Sequence, residues 1–175
     1  MPRYVNMAAQ FPSESPRAAS PLFLREPEIR RGIELLYFGY SHLYRGIDEG
    51  LADKGLGRAH HRSLYFIARQ PGLKVSDLLR LLGITKQSLG RVLGDLTTRG
   101  LVETRTGEQD RRQRLLHLTP AGKALESELF ESLREKLSAA YAQAGQGSVA
   151  GFWQVLEGLI PPEERKRVAA LQRDD

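Results

Sequence analysis

A chain of 175 residues with 41% apolar composition can bury one well-packed core, or one domain carrying an additional dimerisation arm. The absence of cysteine excludes disulfides, thiolate metal sites and cysteine-based redox switching, and no apolar run approaches the ~20 residues a membrane-crossing helix needs. Formal charge is +5, but its distribution is uneven: Arg58 to Lys123 holds 13 Lys/Arg against 5 Asp/Glu, whereas the remainder holds 13 against 16.

The first segment carries Pro2, Pro12, Pro16, Pro21 and Pro27 interleaved with Ser13, Ser15 and Ser20. It has neither periodicity nor apolar mass, so residues 1–26 read as a flexible arm. Its Leu22-Phe23-Leu24 leaves open that it folds against a partner subunit. No apolar stretch follows a basic start, so no signal peptide is expected and the expected location is the cytoplasm.

From Glu28, Ile29, Ile33, Leu36, Tyr37, Tyr40, Tyr44 and Ile47 recur at three- and four-residue steps, predicting a long helix between Pro27 and Gly50. His60–Arg69 predicts a second helix with Leu64, Ile67 and Ala68 inward, closed by Pro71-Gly72. Val75–Leu82 and Thr85–Arg99 follow as two helices with Gly83 between them, where a sharp turn needs positive φ. Leu89, Val92, Leu93 and Leu96 form the inward face of the second of these, and Thr85 is suited to its N-cap.

A strand pair is predicted from Leu101–Arg105 with Arg114–Leu118, joined by the exposed tip Thr106–Arg112. Thr119-Pro120 then opens a long helix, threonine capping and proline filling the first position where no N–H is needed. Leu125, Leu129, Leu133, Leu137 and Tyr141 form its stripe, Gly145-Gln146-Gly147 breaks it, and Val149 to Ile160 forms another apolar helix. Pro161-Pro162 restarts the chain as a short charged helix. The expected fold is mainly α with a small β-wing. Its parts are a first dimerisation helix and loop (27–58), a winged helix-turn-helix (59–119) and C-terminal dimerisation helices (120–175).

In a helix-turn-helix the N-terminal part of the second helix enters the major groove. Gln87 can hydrogen-bond a base edge bidentately, Arg91 can reach guanine or phosphate, and Lys86 suits a phosphate. Ser88 joins them on the outward first turn, although each is also what an ordinary solvated helix carries. An arginine of the wing, Arg111 or Arg112, can enter a narrow minor groove, with Asp110 holding the Arg112 guanidinium extended. The local positive charge is mostly arginine and coincides with this motif, which favours phosphate contact over a merely solvated face. Gly90 and Gly94 each cost about 1 kcal/mol relative to alanine inside a helix; close approach to DNA, close approach to a neighbouring helix, and simple tolerance all stay open.

The stretches Gly83–Leu89, Arg99-Gly100-Leu101-Val102-Glu103, Asp110-Arg111-Arg112 and Leu118–Gly122, in this order and spacing, resemble the MarR family of bacterial transcriptional regulators. The likeness is strongest over 59–125. It implies an obligate homodimer with intertwined first and last helices, presenting recognition helix 85–99 to the major groove and wing 104–114 to the minor groove of a pseudo-palindromic operator. Carried over by position, Thr85, Lys86, Gln87, Ser88 and Arg91 match the recognition contacts, and Asp110 and Arg112 match an acidic–basic pair of the wing. Gly90 departs from the larger polar residue often found there.

The resemblance also implies a small, often aromatic anion bound between dimer helices and head. The candidate lining is Tyr37, Tyr40, Tyr44, His60, His61, Arg62 and Tyr65, with aromatic core plus solvated basic residues as the alternative. Apart from the resemblance, the three long stripes carry more apolar surface than one small head can cover, which favours a dimer over an intramolecular helical cap. No HxxxH, HxH, HExxH, P-loop, GxSxG or dinucleotide fingerprint occurs, so neither a metal, a cofactor nor an enzymatic activity is expected. The expected function is a sequence-specific regulator of transcription binding double-stranded DNA. The alternative is a winged-helix module that binds protein through the same head.

Overall fold

The computed structural model describes residues 21–107 and 113–171. They divide into two compact units, Met1–Tyr40 and Ser41–Asp175. The first unit contains one 3-10 turn, Pro21–Leu24, and the opening of helix α1, which runs Glu26–Asp53. Of the expected arm 1–26, residues 1–20 lie outside the described residues. Within this unit the stripe Ile29, Ile33, Leu36, Tyr37 and Tyr40 is exposed throughout.

Helix α1 ends three residues past Gly50, which lies near its end as expected. Ile47 and Leu51 are fully buried in the second unit, so tertiary burial of the last turn outweighs the helix penalty of glycine. The second unit continues with α2 (Arg58–Arg69), β1 (Leu73–Lys74), α3 (Val75–Leu82), α4 (Lys86–Thr98), β2 (Val102–Thr106) and β3 (Arg114–Leu118). Helices α5 (Pro120–Ala144), α6 (Gln146–Leu159) and α7 (Pro162–Leu171) complete it. Among the described residues, no helix is long and apolar enough to cross a membrane.

The expected strand pair is present in register Val102↔Leu118, Thr104↔Leu116 and Thr106↔Arg114. A third strand that periodicity did not reveal, β1, pairs Leu73 with Leu116, giving an antiparallel sheet of order β1-β3-β2. Two residues are too short to show a period of two. Along the hairpin Val102, Leu116 and Leu118 point into the core while Glu103 and His117 occupy the other face.

Leu64 and Ile67 of α2, Leu78 and Leu82 of α3, and Leu89, Val92 and Leu96 of α4 meet these strand residues in one core, closed by Leu125 and Leu129 of α5. The start of α5 is built as its sequence implies. Thr119 Oγ1 accepts the Gly122 N–H (3.0 Å) and donates to Gly100 O (2.6 Å), while the Thr119 N–H donates to Leu101 O (3.1 Å). Gly122 lies so close to the turn after α4 that a Cβ there would be 1.9 Å from Leu101 O. The three-residue break after α5 narrows to Gly145 alone. At φ +79° it turns the chain, and α6 already begins at Gln146.

Candidate nucleic-acid interface

Helices α3 and α4 form the helix-turn-helix. Gly83 ends α3 in the left-handed region (φ +60°), its N–H donating to Leu79 O at 3.2 Å. Thr85 starts α4 as N-cap: its Oγ1 accepts the Ser88 N–H at 3.1 Å and donates to Ser88 Oγ at 2.8 Å. The hydroxyls of Thr85 and Ser88 are therefore paired with each other at the tip of the helix.

With Leu89, Val92 and Leu96 buried, 3.6-residue periodicity directs Gln87, Gly94 and Thr98 to the opposite face, with Gly90 and Arg91 on its flanks. Lys86, Gln87, Ser88 and Arg91 are all exposed, and among the described residues Lys86 and Arg91 have no ion-pair partner. Many neighbouring arginines are engaged. Arg80 pairs with Asp77, Arg105 with Glu103 (2.8 Å from Nε), Arg58 with Asp48 (2.8 and 2.6 Å), and Arg99 donates to the Lys54 and Gly55 carbonyls. The positive balance of this region thus overstates its unpaired cations, whereas the two on α4 have no partner among the described residues. The hairpin is closed by the Gly107 N–H donating to Gln113 O at 3.0 Å. Asp110, Arg111 and Arg112 lie outside the described residues.

A cavity of about 490 Å³ opens between the end of α1, α2 and the middle of α5. Tyr44, His61, Arg62 and Tyr65 line it, as do Leu43, Phe66, Phe130, Leu133, Arg134, Leu137 and Tyr141. His61 is 3% exposed, and its Nδ1 together with Arg62 Nε is buried without a hydrogen-bond partner among the described residues. Burial holds the His61 imidazole below its ordinary pKa; the Asp48 charge opposes that shift and Arg62 adds to it. Asp48 is itself held below the usual carboxylate range, chiefly by its hydrogen bond from Arg58. The Arg58 guanidinium stands 5.7 Å from the centre of the Tyr44 ring, which meets His61 edge-on at 5.9 Å.

Of the remaining expected lining residues, Tyr37 and Tyr40 are exposed in the first unit. His60 does not line the cavity; its ring accepts the Gly57 N–H at 3.0 Å and reaches Asp95 at 3.2 Å.

Residues 54–113 match the MarR family. The chain is 46% identical over 158 residues to the HTH-type transcriptional regulator PetP of Rhodobacter capsulatus, covering 90% of this chain and 95% of PetP. The chain belongs to the MarR family. Two solved structures show the shared fold. NadR in complex with 4-hydroxyphenylacetate superposes with a TM-score of 0.62 at 23% identity, over 85% of this chain and 97% of NadR. A mutant of MarR from E. coli complexed with operator DNA gives 0.60 at 23% identity, over 81% of this chain and 100% of that one.

This MarR-family transcriptional regulator therefore carries its winged head as the sequence anticipates. Reading by sequence missed the wall that α5 contributes to the cavity. Phe130 and Arg134 interleave with the stripe that ends at Tyr141, and their side of the helix becomes legible only once α2 is known to pack there. It also missed the bonds that hold the rear of α4, which join residues tens of positions apart.

Proposed function

We propose that this MarR-family regulator binds a pseudo-palindromic operator as a homodimer, with α4 in the major groove and the wing of residues 104–114 in the minor groove. The observation that carries this reading is the exposed first half of α4, where Lys86, Gln87, Ser88 and Arg91 face outward and the two cations have no partner among the described residues. Residues 59–119 act as the reading head, and 27–58 with 120–175 as the dimerisation region. The exposed Ile33, Leu36 and Tyr37 of α1 and the exposed Phe152, Trp153, Val155 and Leu159 of α6 supply apolar surface for a second copy.

The cavity supports a small aromatic anion as effector. Its walls are tyrosine, phenylalanine and leucine, and the unpaired His61 Nδ1 and Arg62 Nε are polar groups that such a ligand can satisfy. NadR, which shares the fold, is known with 4-hydroxyphenylacetate bound. Asp110, Arg111 and Arg112 are assigned to the wing contact from their position in the sequence.

Selecting bound sites from random duplexes, then measuring affinity across a salt series, tests the DNA reading. A two-fold site with half-sites about 34–36 Å apart is expected, with affinity falling steeply as salt rises. Gln87→Ala is expected to cost about 1–3 kcal/mol on the selected site and much less on a site changed at the base it reads. Enrichment of no sequence, or binding indifferent to salt, would refute the reading and return the protein-binding alternative.

A further inference from the structure

Asp95 is an unexpected residue on α4, because a carboxylate on a helix that approaches phosphates repels them. Its side chain is 59% exposed, yet its Oδ2 lies 3.2 Å from His60 Nε2. The other ring nitrogen of His60, Nδ1, accepts the Gly57 N–H at 3.0 Å. An imidazole that accepts at Nδ1 carries its proton on Nε2, so the Nε2–H donates to Asp95. The backbone thus sets the tautomer, and the tautomer sets the direction of the bond.

One turn further along, Arg99 caps α4 and donates Nη1 to Lys54 O and Nη2 to Gly55 O at 3.3 Å. The rear of α4 is therefore fastened at two points to the turn 54–57 and the first turn of α2. The apolar face of α4, Leu89, Val92 and Leu96, holds the helix on the core by attraction that is itself non-directional, and the two polar fastenings add direction to it. Base reading depends on that direction. A roll of about 20° carries a side-chain end 6 Å from the axis by about 2 Å, enough to break a hydrogen bond.

We propose that His60 is a positioning residue for DNA recognition, fixing the roll of α4 through its bond to Asp95. This rests on the reading of α4 as the DNA-binding helix. Asp95 serves that bond and makes no contact with the operator.

Two substitutions separate the bond from the charge. Asp95→Asn removes the charge and keeps an acceptor for the His60 Nε2–H, whereas Asp95→Ala removes both. On the site selected by the wild type, Asp95→Asn is expected to bind at least as tightly as the wild type. Asp95→Ala is expected to bind about fivefold more weakly than Asp95→Asn, the equivalent of one net hydrogen bond at tenfold per 1.4 kcal/mol. The preference for the selected site over one with a changed base falls in Asp95→Ala and is preserved in Asp95→Asn. A purely stabilising bond would shift the melting temperature and leave that preference intact.

In a His60→Phe background the two Asp95 variants are expected to become indistinguishable. Equal binding by both variants in the wild-type background, or a difference that persists with His60→Phe, overturns the inference. A wild type that selects no DNA overturns the reading of α4 and the inference together, and this outcome is distinct from wild-type binding with indifferent variants.

Discussion

Replacing Gly90 and Gly94 by alanine sets helix stability against DNA approach. A Cβ built at either position meets nothing within 4 Å, so among the described residues of this chain no neighbouring helix requires either glycine. Both lie inside α4 and turn away from Leu89, Val92 and Leu96. Each alanine should therefore recover up to about 1 kcal/mol of helix propensity, and the pair about 2 kcal/mol. At roughly 2–4 °C per kcal/mol for a chain of this size, the double variant should melt about 4–8 °C higher. If the bare backbone allows α4 to lie deep in the groove, the same variant should lose operator affinity. Overpacking of about 1–3 kcal/mol corresponds to about fivefold to a hundredfold or more. Calorimetry and fluorescence anisotropy on the selected site read the two effects separately. A variant that melts higher and binds as tightly as the wild type would show that the glycines have no role in approach; one that melts lower would refute the open-space reasoning itself.

Gly122→Ala should be severely destabilising, by about 3 kcal/mol or more, because the new Cβ would lie 1.9 Å from backbone that cannot swing aside; a urea midpoint within error of the wild type would contradict the packing. His61 has a folded-state pKa below its ordinary 6.5, so the unfolded chain takes up the proton first as pH falls. Its contribution is therefore fully present above about pH 6.5 and is lost progressively below it. Urea midpoints compared at pH 7.5 and 5.5 should fall more for the wild type than for His61→Phe, and equal falls would refute a buried neutral His61.

The head was the most legible part of the sequence, because each of its signals is local. Gly83, Thr85 and Thr119-Pro120 act within a turn of where they stand, and each is found at the helix boundary it marks. The cavity was only half legible. Tyr44, His61, Arg62 and Tyr65 line it, but His60 is diverted to the N-terminus of α2 and to Asp95, since adjacent residues on a helix point about 100° apart. Tyr37 and Tyr40 share the periodicity of Tyr44 and are exposed in a separate unit, so one stripe on one helix serves two surroundings. Periodicity reports which face is apolar and not what covers it. Residues 108–112, which the sequence reads as part of the wing tip, lie outside the described residues.

The junction at Thr119 and Gly122 joins the turn after α4 directly to the start of α5, through hydrogen bonds from the Thr119 hydroxyl to Gly100 O and from the Thr119 N–H to Leu101 O, and a backbone contact with no room for a methyl group. Reading head and long helix are thereby a single lever. Twenty-five residues of α5 span about 37 Å, so in the proposed dimer a tilt of 10° at the far end swings the head by about 6 Å. That is nearly two base-pair steps, so small changes of tilt among the dimerisation helices would be magnified into a change of spacing that an operator can sense.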